Sequence, residues 1–204
     1  YGDSLAKVND VGTINVVLDE KLRSISTIVD GDSIIMNGAD QNFSYNYLFS
    51  DSNDNGRILL SMVALDSASN QADTIIDRIY FDKTAPQLSA IFEGSINEDK
   101  VYSKHGDSLQ LSWQKVELES GLKRAYIGLG SDSGLVDVVN WTMASGDDES
   151  SLTSINLQNN SKYYGSIYLE DNVGNISDSL WGNGITIDLV PPVVGDVWDG
   201  FLDE

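Results

Sequence analysis

The chain repeats itself at a spacing near 100 residues, and a repeat of that length leaves few architectures open. Ala64-Leu65-Asp66-Ser67-Ala68-Ser69-Asn70 aligns with Leu169-Glu170-Asp171-Asn172-Val173-Gly174-Asn175, which sets Asp66 against Asp171 and Asn70 against Asn175, each pair 105 positions apart. Downstream, Asp82 matches Asp188 and Pro86 matches Pro192, each 106 positions apart. Upstream, Lys7 and Asp10 match Lys104 and Asp107 at an offset of 97. The shorter upstream offset places about eight extra residues inside the second copy.

Within each copy, short runs rich in Val, Ile, Tyr, Leu and Ser alternate with Gly, Asn and Asp clusters, and a helical period is almost nowhere sustained. Strands are expected at 13–18, 24–29, 33–36, 43–49, 57–65 and 74–81, then at 87–92, 108–113, 123–129, 135–141, 152–157, 163–170 and 184–188. About seven short strands per 100 residues is the size of an immunoglobulin-type sandwich, not of a propeller blade or solenoid coil. Proline cannot donate to a central ladder, so Pro86 and the pair Pro191-Pro192 read as linkers. The expected fold is all-β: tandem antiparallel β-sandwiches end to end, with modules at 1–82 and 83–188 and the start of a further module at 189–204. The first copy lacks a counterpart of the strand at 87–92 and is expected to be truncated at its N-terminus. Alternation places Val16, Leu60, Met62 and Ala64 in the first core, and Leu111, Trp113, Tyr163, Ile167 and Leu169 in the second. Leu157, six residues before Tyr163, has the spacing of a tyrosine corner.

The composition narrows the chemistry. Twelve Lys+Arg against 32 Asp+Glu leave a net charge of −20, so nucleic acid and anionic membrane surfaces would be repelled and cations attracted. With no cysteine there is neither a disulfide nor a thiolate metal site. No apolar run approaches the roughly 18 residues of a membrane span, so direct membrane insertion is not expected.

The motifs resemble a known group of modules. Lys7 and Asp10 before an alternating strand, Asp19-Glu20-Lys21-Leu22 after it, Asp66 with Asn70, and Asp82-Lys83-Thr84-Ala85-Pro86 resemble the bacterial Ig-like repeats of large surface proteins and adhesins. The second copy is similar to the fibronectin type III variant of the same proteins through Trp113, Glu119-Ser120-Gly121-Leu122, Tyr126, Gly128, Trp141-Thr142, Tyr163-Tyr164 and Asp171-Asn172 with Gly174-Asn175. The resemblance implies a secreted or cell-surface location, neighbouring modules of the same polypeptide as partners, and no catalytic activity. It specifies fold more than function, because such modules serve as spacers, adhesive tips and appendages of hydrolases alike. The first copy departs from the pattern at Ser69, where glycine is usual, and a different turn is expected there.

Few residues offer catalysis. The one histidine, His105, sits in a Lys-His-Gly-Asp stretch that reads as a solvated turn, and no spacing singles out a pair of acids for glycoside hydrolysis. Exposed aromatic faces can stack on sugars, which makes Trp181 the foremost candidate for glycan binding, ahead of Trp141, Trp198, Tyr45, Tyr47 and Tyr168. Asp51-Ser52-Asn53-Asp54-Asn55-Gly56 lacks the downstream Glu of a helix-flanked calcium loop and reads as a hairpin turn. In an immunoglobulin-type sandwich the loops at 114–122 and 171–177 lie where the chain enters the second module. Glu117, Glu119, Asp171 and Asn175 are therefore expected to approach Asp82, and calcium is the cofactor such a set would hold unless Lys83 or Lys123 neutralises it or the acids splay into water. The expected function is a non-catalytic spacer of an extracellular bacterial surface protein. The alternatives are an adhesive or carbohydrate-binding module, contacting a cell-surface glycan or protein, and an accessory domain of a secreted hydrolase.

Overall fold

The computed structural model describes residues 4–116 and 119–196, with the side chains of 76–78 outside the description. The strands are β1 (Ser4–Ala6), β2 (Val11–Val17), β3 (Leu22–Val29), β4 (Asp32–Ile34), β5 (Asn37–Ala39), β6 (Asn42–Leu48), β7 (Gly56–Asp66), β8 (Gln71–Phe81), β9 (Leu88–Phe92), β10 (Tyr102–Ser103), β11 (Ser108–Lys115), β12 (Leu122–Gly130), β13 (Val139–Met143), β14 (Glu149–Thr153), β15 (Lys162–Asp171), β16 (Leu180–Trp181) and β17 (Ile185–Ile187). Among the described residues no helix is long and apolar enough to cross a membrane.

Strand pairing respects the repeat. Sheets of order β1-β8-β7-β3-β4 and β2-β6-β5 use residues of the first copy, and sheets of order β10-β17-β15-β12-β13 (with β16 on β15) and β14-β11-β9 use residues of the second. Each copy contains a short parallel pair: β1 runs beside β8 with Ser4 opposite Ile79, and β10 runs beside β17 with Tyr102 opposite Thr186. The strand β9 has no equivalent among the described residues of the first copy. By compactness, the described residues of Tyr1–Ser89, Lys115–Ala125 and Tyr168–Ser179 form one unit, and those of Ala90–Gln114, Tyr126–Ile167 and Leu180–Glu204 form another.

Period-two alternation decides which face of each strand is buried. In β2 the burial pattern alternates without a break, with Gly12, Ile14 and Val16 turned partly inward. The core of the first unit gathers Ala6, Val29, Tyr47, Phe49, Ile58, Leu60 and Phe81, with Ile14, Tyr45 and Ile79 packed against it. Phe49 stacks on Phe81 with ring centroids 5.8 Å apart, and Tyr47 meets Phe49 edge-on at 5.1 Å; such pairs contribute about 0.5–1.5 kcal/mol each beyond area burial. Of the expected core residues Leu60 and Ala64 are buried, whereas Val16 and Met62 are only half-buried. Leu111, Trp113, Tyr163, Ile167 and Leu169 are all buried. The Trp113 indole also needs a polar partner, and its Nε1–H donates to the Asp147 carbonyl at 2.9 Å.

Three sequence-level expectations are corrected. The strand expected at 135–141 begins at Val139, because Asp137 takes both the N–H and the hydroxyl of Ser131 and folds the intervening residues into a loop. The strand expected at 152–157 lies at Glu149–Thr153, ended by Ser154 in a left-handed conformation (φ 58°) that a ladder cannot accommodate. Residues 51–56 are not a hairpin turn, since β6 and β7 belong to different sheets. They form a crossover pinned by Asn53, whose buried amide donates to Asp30 and to the Tyr47 hydroxyl at 2.6 Å each.

The tyrosine corner is present. The Tyr163 hydroxyl accepts the Gln158 N–H at 3.0 Å, beside the buried Leu157. Replacing Tyr163 by Phe leaves that N–H without its acceptor, so Tyr163→Phe is expected to lower stability by about 1–2 kcal/mol in urea unfolding. A change below a few tenths would show that the hydroxyl carries no part of the fold.

Candidate functional site

The site grows from one turn built twice. At the end of β7, Asp66 receives the Asn70 N–H on Oδ1 and the Asn70 side-chain amide on Oδ2, each at 2.7 Å. At the end of β15, Asp171 receives the Asn175 N–H on Oδ1 at 2.8 Å and its amide on Oδ2 at 2.9 Å. In both turns the Asp N–H donates to the Asn carbonyl, and the N–H of the residue before the Asn donates back to the Asp carbonyl. A carboxylate with two oxygens matches an asparagine's two N–H groups, which is why this pair closes so tight a turn. The Asn70 contacts hold the Asp66 carboxyl below its ordinary range. The residue before the Asn must be left-handed, and the expectation of a different turn at Ser69 is overturned: Ser69 takes φ 69° where Gly174 takes φ 86°. Ser69 therefore carries a backbone strain of about 1 kcal/mol that glycine avoids.

Around the second of these turns the first unit assembles a larger network. Asp82 is almost fully buried, with Oδ1 accepting the Thr84 N–H at 2.9 Å and Oδ2 accepting the Ser120 N–H at 3.0 Å. The Asn175 amide also donates to the carbonyls of Asp82 at 3.1 Å and Thr84 at 3.4 Å. Asn172 is held to the 120–121 turn through its N–H to Gly121 and its side chain to Ser120. Lys7 caps the turn by donating to the Gly174 carbonyl at 3.0 Å.

The sequence-derived set is thus partly brought together. Asp82, Asp171 and Asn175 converge; Glu119 is exposed; Glu117 lies outside the described residues. The two lysines expected as neutralisers are engaged elsewhere. Lys83 donates to the Asp51 and Asn53 carbonyls, and Lys123 pairs with Glu170 at 2.7 Å, which together with Arg124 holds the Glu170 carboxyl low. All four oxygens of the Asp82 and Asp171 carboxylates accept N–H groups, and Asn175 presents nitrogen to the network. Among the described residues no group of three His, Asp or Glu side chains is placed to hold a metal. The chemistry on offer is that of a hydrogen-bonded pin.

Trp181 stands on β16 opposite Ser166 of β15 and is 40% exposed. Trp141, Tyr45 and Tyr168 are half-buried, Tyr47 belongs to the core, and Trp198 lies outside the described residues. His105 is exposed, as expected of a turn residue.

Sequence reasoning missed Lys7, Thr84 and Ser120 as members of the pin, and it missed Glu93. Lys7 was visible as a repeat position, matched by Lys104, but nothing local tied it to residue 174. For Glu93 the signal is weak: an aromatic-acid-glycine step, Phe92-Glu93-Gly94, has a counterpart of the same residue types 106 positions later in Trp198-Asp199-Gly200.

No family model matches the sequence, and no curated protein matches it. Solved structures do. A crystal structure of domains from titin superposes over 92% of this chain and 62% of that chain, with TM-score 0.58 and 14% identity, so this chain spans about three fifths of that titin segment. Fibronectin(III)-like modules of CbhA from Clostridium thermocellum align over 92% of this chain and 90% of theirs, at TM-score 0.40 and 9% identity. A 1.5-MDa bacterial ice-binding adhesin structure aligns over 91% and 61%, at TM-score 0.48 and 13% identity.

Removing the Asn175 side chain is expected to leave Asp171 Oδ2 and the Asp82 carbonyl without their donor. Asn175→Ala should lower stability by about 1–3 kcal/mol in calcium-free buffer, and a loss within experimental error would show that the network is not a pin. The titin likeness carries the fold: this chain is an all-β protein of immunoglobulin-like or fibronectin type III-like sandwich construction.

Proposed function

We propose that this chain is a non-catalytic structural spacer from an extracellular multi-domain bacterial surface protein of adhesin type, its repeat modules bounded near 1–82 and 83–188. The observation that carries this reading is the recurrence of one construction in both copies. The Asp-x-x-x-Asn clamp and the parallel strand pair occur in each, and each strand pairing stays inside its own copy. Supporting it, the buried aspartates spend their oxygens on N–H donors that close turns, leaving them poor general bases. Spacers carry load, so stretching single molecules is the direct test. Two rupture events are expected, releasing roughly 29 and roughly 37 nm of chain at about 3.5 Å per residue. One event releasing the whole length would overturn the modular reading.

Two ligand readings have specific support. Trp181 is an exposed aromatic residue, and aromatic rings stack on sugars, which favours a carbohydrate-binding or adhesive role toward a cell-surface glycan or protein. The convergence of Asp82, Asp171 and Asn175 favours calcium, though the ion would have to displace the Asn175 amide. Two binding measurements weigh them against the spacer. The pin predicts calcium binding no tighter than millimolar in calorimetry; tighter binding lost in Asp82→Ala and Asp171→Ala would turn the pin into a metal clamp. A glycan array is expected to be blank, and a hit abolished by Trp181→Ala would replace the spacer with a lectin-like module.

A further inference from the structure

Glu93 directly follows β9 and is fully shut from solvent, yet only half of its carboxyl group is accounted for. Oε1 accepts the Gly165 N–H of β15 at 3.0 Å and the Gly184 N–H at 3.3 Å. Gly182 completes the cradle, since a side chain at that position would collide with the Glu93 carboxyl. The main chain of Glu93 is tied to the turn that follows it. Its N–H donates to Asp99 Oδ1 at 3.1 Å and its carbonyl accepts the Lys100 N–H at 3.0 Å. Asp99 is anchored in turn by the Asn183 amide, which donates to Oδ2 at 2.6 Å. Oε2 of Glu93, however, is buried with no donor directed at it. A buried carboxylate with one oxygen unmatched is strongly disfavoured, whereas a carboxylic acid can satisfy that oxygen by donating.

We infer that Glu93 is a proton-operated latch: held as the neutral acid, it donates its Oε2–H to the Asp99 carboxylate and fastens the 93–100 turn onto the sheet through β15, and losing that proton releases it. Burial pushes the Glu93 carboxyl up to about 7, with the charge and hydrogen bond of Asp99 adding to the rise, while the Gly165 and Gly184 N–H groups oppose it. The other charged groups facing it are few. Lys100 lies on the same turn with its aliphatic stem against Gly94, and Lys162 of β15 runs past Gly184 with its ammonium over the Tyr164 ring. His105 and Lys100 border, with Glu93, a cleft of about 270 Å³ that offers water a way in.

The direction of the pH effect follows from linkage. A carboxyl whose folded value is raised adds stability that is complete below its ordinary value of 4.5 and is lost as the pH climbs toward about 7. Asp66, Asp137 and Glu170 are shifted the other way, so their contributions are lost only on acidification below the ordinary carboxylate range. Between pH 5 and 8 those three contributions stay constant while that of Glu93 falls. Between those limits the unfolding equilibrium constant of the wild type should rise by roughly one to two orders of magnitude from this group. Glu93→Gln keeps the Oε1 acceptor and supplies a permanent donor to Asp99, so it should lack that rise and be the more stable protein at pH 8. Parallel pH profiles for the two proteins would overturn the latch. Carbon-13 titration of the Glu93 carboxyl in the wild type gives a reading that does not depend on any variant folding: a midpoint near 7 is expected, and one below 5 refutes the proposal. Asp99→Asn should pull that midpoint down, and an unchanged midpoint would refute the pairing.

Discussion

Carboxylates taken out of water have to be met by hydrogen-bond donors, and in this chain that requirement decides where strands stop and turns form. Asp66, Asp82, Glu93 and Asp171 are all buried, in a protein whose net charge of −20 supplies few cations to pair with them. Three of the four are matched by N–H groups from turns. Because most of the donors are backbone amides fixed in direction, each acid dictates the path of the residues around it. The apolar cores supply the bulk of the favourable burial, but alternation alone would allow the strands to end in several places. The acids remove that freedom.

The clamp at 66–70 and 171–175 shows how little of a repeat must be kept for its geometry to persist. Asp and Asn recur, while the three residues between them differ completely. Even the loss of glycine at Ser69 leaves the turn unchanged, because two side-chain hydrogen bonds and two backbone ones outweigh about 1 kcal/mol of left-handed strain. Glu93 solves the same problem by other means. Two glycine N–H groups reach one of its oxygens, and no donor reaches the other, which its own proton can serve.

The parts of the pin that were legible beforehand, Asp82, Asp171 and Asn175, were those marked by the repeat. Ser120 and Thr84 carry no such mark, and the repeat marks Lys7 without showing what it meets. Ser120 meets Asp82 across 38 residues and Lys7 meets Gly174 across 167, distances over which no local pattern speaks. Glu93 lies just past the strand expected at 87–92, and nothing in its local sequence marks it as buried. Only its enclosure by Gly165, Gly182 and Gly184, which come from elsewhere in the chain, makes it a buried acid.

The class of fold, the two copies, most strand positions and the buried face of β11 and β15 were determined by sequence alone. Period-two alternation and a 100-residue repeat are local and translational signals that need no knowledge of what packs where. The tertiary structure decided whether an acid becomes a metal ligand, a turn pin or a proton store. That choice depends on the number and direction of N–H groups arriving from distant strands, and so on the desolvation each oxygen suffers, quantities that exist only once the sheets have paired.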